Sequence, residues 1–202
     1  MSTIEDRLNA IEDALVLELH PGDRAQYANY LAVLADLRAS TEAESSLLLP
    51  RESLLRRIDF STLCLMRQFE DENTFLPFCS TFLERFALPS AERDTAMIIR
   101  QVFLHQLNRH QEEILSAMSC LENYDCSPDL KLDLLAGIAR DHPDAFETNS
   151  ELALLTVQLI KGKELPGSEI TEDADLVPGC ASYVLTLIAK RNERFGKPRS
   201  LP

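Results

Sequence analysis

The sequence has no tryptophan, only six glycines and no Cys-x-x-Cys pair. Each shortage closes off a class of protein. With so little glycine there is no Gly-Lys-Ser/Thr phosphate loop, and no Gly-x-Ser-x-Gly elbow to present a nucleophilic serine. The closest approach, Gly162-Lys163-Glu164, lacks both that ending and a preceding strand. The acidic run Glu172–Asp175 has no glycine turn and no closing glutamate, so it is not a calcium loop. No apolar run approaches the ~18 residues of a membrane span. The N-terminal stretch MSTIEDR is acidic and has no apolar signal core.

The five cysteines, Cys64, Cys79, Cys120, Cys126 and Cys180, are odd in number and form no paired spacing. They predict reduced, mostly buried thiols and a soluble protein of a reducing compartment, the cytoplasm. Basic residues are also scarce. Lys and Arg number 20 against 33 Asp and Glu, for a formal net charge of −13. Phosphate and anionic lipid surfaces call for the opposite sign, so neither nucleic acid nor a membrane is expected as a partner. The exception is residues 188–202, where Lys190, Arg191, Arg194, Lys197 and Arg199 face Glu193 alone. Cations there complement the end of a final helix.

What is present is helix. With 45% hydrophobic and 26% charged residues the composition is globular, and no alternating β-branched run reads as a strand. Start signals are frequent. Capping boxes are predicted at Ser2 with Glu5, Thr41 with Glu44, and Thr148 with Glu151. Asn73 and Ser90 are further candidate caps, and Ser127 precedes a proline at the first helical position. The spacing predicts helices from Ile4 to Leu19 and over 24–39, joined as a hairpin. An aromatic-rich middle follows, then one long helix over about 90–123. Shorter helices are expected at about 128–140, 149–161 and 178–195, with 162–179 an exposed connection. The predicted fold is all-α: one domain over 1–202, an irregular bundle of about seven to eight helices, with 1–40 a candidate semi-independent hairpin. A short α-solenoid of unlike hairpins is the alternative.

Seven of the nine phenylalanines lie between Phe60 and Phe103. Phe75, Phe78, Cys79, Phe82, Leu83 and Phe86 follow helical spacing and predict a core stripe, and the run over 58–66 is apolar on more than one face, as in a central helix.

The densest cluster of chemistry is HQLNRHQEEI, residues 105–114. On one continuous helix, His105 and His110 diverge by about 140°, too far to share an ion. On that wheel His105 points away from the apolar side, His110 and Glu113 lie near its edge, and His105 with Glu112 supplies at most two donors. The stretch therefore reads as a solvated face, with no catalytic, cofactor-binding or metal residues assigned. His20 and His142, each before a proline, read as helix-terminal residues.

These observations predict a non-enzymatic protein–protein interaction module with no cofactor, an adaptor, chaperone or assembly protein. The candidate interface is the narrow seam Ile4, Leu8, Ile11, Leu15 and Leu19, through which a homodimer would also form. A second expectation is an acidic immunity- or antitoxin-like inhibitor of a basic protein, toward which the net charge would steer. A third is an enzyme or ligand carrier whose site is assembled from distant helices.

Overall fold

The computed structural model describes residues 3–17, 24–44, 50–86, 90–122, 126–166, 168 and 179–195. Among these there are ten helices and no strand. They are α1 (Ile4–Leu17), α2 (Arg24–Ala43), α3 (Arg51–Phe69), α4 (Glu72–Arg85), α5 (Ala91–Gln106), α6 (His110–Leu121), α7 (Pro128–Asp141), α8 (Ala145–Thr148), α9 (Ser150–Lys161) and α10 (Cys180–Phe195). The all-α fold is as expected, with a somewhat higher helix count. None of the described helices is long and apolar enough to cross a membrane. The chain divides into two compact units, residues 1–100 and 101–202.

In the first unit α3 packs against α1, α2 and α4. It buries Leu54, Leu55, Ile58, Leu63, Leu65 and Met66, the all-round apolar pattern of a central helix. Leu8 and Ile11 of α1 join Tyr27, Leu34 and Leu37 of α2 in the same core as Leu54, Ile58 and Leu65 of α3, with Ile4 partly buried against it. Arg57 of α3 pairs with Glu12 of α1, and Arg7 of α1 pairs with Asp36 of α2 at 2.8 Å. The described part of the N-terminal seam, Ile4, Leu8 and Ile11, is thus covered by α2 and α3 together, and residues 1–40 belong to the first unit. The Leu15 side chain and all of Leu19 lie outside the described residues, as do Ser2, His20, Glu172–Asp175, Lys197 and Arg199.

On α4, Phe75, Cys79 and Phe82 are buried, and Phe86 just beyond it, whereas Phe78 and Leu83 are only half-buried. The stripe is therefore narrower than its sequence pattern. Local starts also shift. Thr3 and Asp6 form the first capping box, each backbone N–H bonded to the other's side chain. Thr41 is no cap, because α2 runs on to Ala43 and the buried Thr41 hydroxyl donates to the Leu37 carbonyl. Asp71 caps α4 in place of Asn73, and Asn149 caps α9 in place of Thr148. Ser90 and Ser127 act as expected, accepting from the Arg93 and Leu130 amides.

In the second unit α7 is the central helix, burying Leu130, Leu132, Leu134, Leu135 and Ile138 against neighbours that include α6, α8 and α10. Arg191 of α10 reaches Asp133 at 2.6 Å and Asp129 at 3.5 Å, so part of the basic C-terminal stretch is paired within the unit. The start of the 162–179 connection packs inward, with Leu165 and Ser168 buried, while residues 169–178 lie outside the described residues.

Candidate metal centre

The expected helix over 90–123 is broken, and the break builds a site. Asn108 stands in the left-handed conformation with φ of 58°. Its amide bonds the His105 carbonyl, and the Arg109 amide reaches back to the Leu104 carbonyl. Those two bonds around a left-handed residue form a Schellman cap, which ends α5 and turns the chain. Asn tolerates the conformation better than most residues with a Cβ. One turn later α6 starts at His110, and Arg109 pairs with Glu112 at its N-terminus.

The wheel that separated His105 from His110 assumed an unbroken helix, and that geometry is corrected here. Their ring centroids lie 5.4 Å apart. His142, in the cap position of α7 before Pro143, brings a third ring 5.4 Å from His105 and 4.4 Å from His110. Its terminal position is as expected, but its ring points into the cluster. At the centre is Glu113 of α6, only 1% exposed. Its Oε2 lies 3.0 Å from His142 Nε2, 3.3 Å from His105 Nδ1 and 3.6 Å from His110 Nδ1.

One ligand atom from each of His105, His110, Glu113 and His142 lies within 4.8 Å of all the others. Four donors each ~2.0–2.1 Å from a tetrahedral ion would sit ~3.3–3.4 Å from their neighbours. The three nitrogen–oxygen separations bracket that spacing. Two further observations point inward. The Nδ1 of His110 is buried and has no hydrogen-bond partner. Glu113 is a buried carboxylate whose partners are three histidines, with no lysine or arginine paired to it among the described residues. A buried carboxylate needs a cationic partner or hydrogen bonds, and the one oxygen that faces all three imidazoles cannot satisfy them at once. A cation among the four atoms would answer both problems.

The sequence placed Glu113 only at the edge of an apolar side, and its burial on the face of Ala117 and Cys120 appears once α6 starts afresh after Asn108. That residue carries the one readable signal: Asn at a left-handed cap. The other residues singled out in the sequence are not among the four donors. Glu112 points outward to Arg109, and Ile4, Leu8 and Ile11 belong to the other unit.

The fold and the site define an all-α protein whose second unit converges three imidazoles and one carboxylate. No family model matches the chain, and no curated protein or solved structure matches it.

Proposed function

We propose that the protein binds one divalent transition-metal ion through His105, His110, Glu113 and His142, with zinc as the reference ion. The observation that carries this reading is the convergence of four donor atoms within 4.8 Å around a carboxylate that is 1% exposed. Three nitrogens and one oxygen form a borderline donor set, suited to zinc and its neighbours and not to magnesium or calcium, which take oxygen. His105 and His110 would ligate through Nδ1 and His142 through Nε2, each in the tautomer that keeps the other nitrogen protonated. Four protein donors fill a tetrahedral shell. The ion would then pin the end of α5, the start of α6 and the end of α7, as a structural or regulatory centre does.

A role in protein contact is the second reading. It is favoured by Leu115 on α6 and Leu154 on α9, which are 54% and 60% exposed. Leu8 and Ile11, which the sequence offered as interface, are buried in the first unit's own core.

Isothermal titration of zinc into the full-length metal-free chain tests the metal reading. The expected result is one site per chain, weakened at least tenfold by Glu113→Gln and by His142→Ala, with Glu112→Gln as the unaffected control. Equal binding by all four proteins, or none by the parent, would overturn it.

A further inference from the structure

Cys120 lies in the last turn of α6 on its buried face, and Cys126 directly precedes Ser127, the cap of α7. They are 2% and 4% exposed, and their sulfurs lie 2.7 Å apart. That is longer than the ~2.05 Å of a disulfide bond, so the two are free thiols in direct contact. The spacing in sequence carried no signal, because Cys-x5-Cys is not a recurrent motif. The fold supplies the encounter by packing α6 against α7.

We propose that Cys120 and Cys126 are a redox pair that closes to an intramolecular disulfide on mild oxidation, with a peroxide as the class of oxidant. Burial favours an oxidant as small as hydrogen peroxide. The thiolate of one cysteine attacks a peroxide oxygen: the S–O bond forms, the O–O bond breaks, and the departing hydroxide takes a proton to leave as water. The second thiol attacks the resulting sulfenic sulfur: the S–S bond forms, the S–O bond breaks, and the hydroxyl leaves as water with that thiol's proton. Two thiols lose two electrons in all, and one peroxide becomes two waters.

The pair links the two helices that carry three of the four donors in the metal cluster, His110 and Glu113 on α6 and His142 at the end of α7. Closing the bond ties the last turn of α6 to the first residue before the α7 cap. The inference does not depend on metal binding, since it rests on the sulfur positions alone. The other described thiols lack such a neighbour.

The test is graded hydrogen peroxide on the folded full-length protein, read by intact mass and by peptide mapping without reductant. The expected product has lost two hydrogens, carries a Cys120–Cys126 cross-link, and returns to the starting mass with a thiol reductant. Cys64→Ser should give the same product, and Cys126→Ser should give no loss of two hydrogens. Oxygen added to separate cysteines of the parent, a cross-link between any other pair, or reduced thiols throughout would each overturn the proposal.

Discussion

Phe82 and Phe78 sit one turn apart on α4, but Phe82 is buried beside Phe86 and Phe60 while Phe78 is half-buried at the margin. Phe82→Ala should cost roughly 3–5 kcal/mol, the range for deleting a fully buried ring. Phe78→Ala should cost clearly less, because part of its surface is already in water. Chemical denaturation of the two variants checks the order. Asp59 supports a prediction in pH. Burial pushes its carboxyl above the ordinary value, while Arg38 at 2.6 Å and Arg85 at 3.5 Å pull it down. With the native value raised, the folded state binds this proton more readily than the unfolded chain just above the ordinary carboxylate range. The group's contribution is then fully present in acid and falls as pH rises through the native value. Asp59→Asn removes that dependence, so the parent should gain on the variant as pH is lowered from 7 toward 4. Paired thermal melts would show it, and a parent that loses ground in acid would contradict the sign. Helical spacing made Phe75, Cys79 and Phe82 readable as core. It had no means of reading Phe78 as marginal, because both lie on one apolar face and only the neighbouring helices decide how far that face is covered.

At the scale of elements, the informative residue is Asn108. Apolar periodicity runs on through 103–121, so the spacing alone predicts one helix, and a single left-handed residue overrides it. Asn108→Gly removes the Cβ from a conformation that disfavours it and should hold or raise stability. Asn108→Ala keeps a Cβ and lacks the Asn side chain, and should cost about 1 kcal/mol. The same pair separates the turn from the site. Zinc affinity should survive in the glycine variant and fall in the alanine variant, where continuous helix across 105–110 would swing the two imidazoles apart. Equal affinities in both would mean that the left-handed turn does not position the donors. Other ends were readable to within a residue or two: caps were anticipated around α1, α4 and α9, and Thr3, Asp71 and Asn149 fill them. Such slips are expected where several Ser, Thr, Asn and Asp residues compete for one cap.

At the scale of the whole molecule, helical class was written in the periodicity, but the division into two compact units was not, because each unit has its own central helix and no linker composition marks the boundary. The candidate site was hidden for a related reason. Its donors come from three helix ends spread over 105–142, and His142 lies 29 residues from Glu113. Metal binding as proposed requires these four side chains to form one coordination shell. X-ray absorption spectroscopy at the zinc edge of the zinc-loaded full-length protein tests it most directly. The expected spectrum shows a shell of nitrogen and oxygen at about 2.0–2.1 Å with the outer-shell scattering of imidazole rings. A sulfur shell near 2.3 Å, or a shell without imidazole scattering, would contradict it.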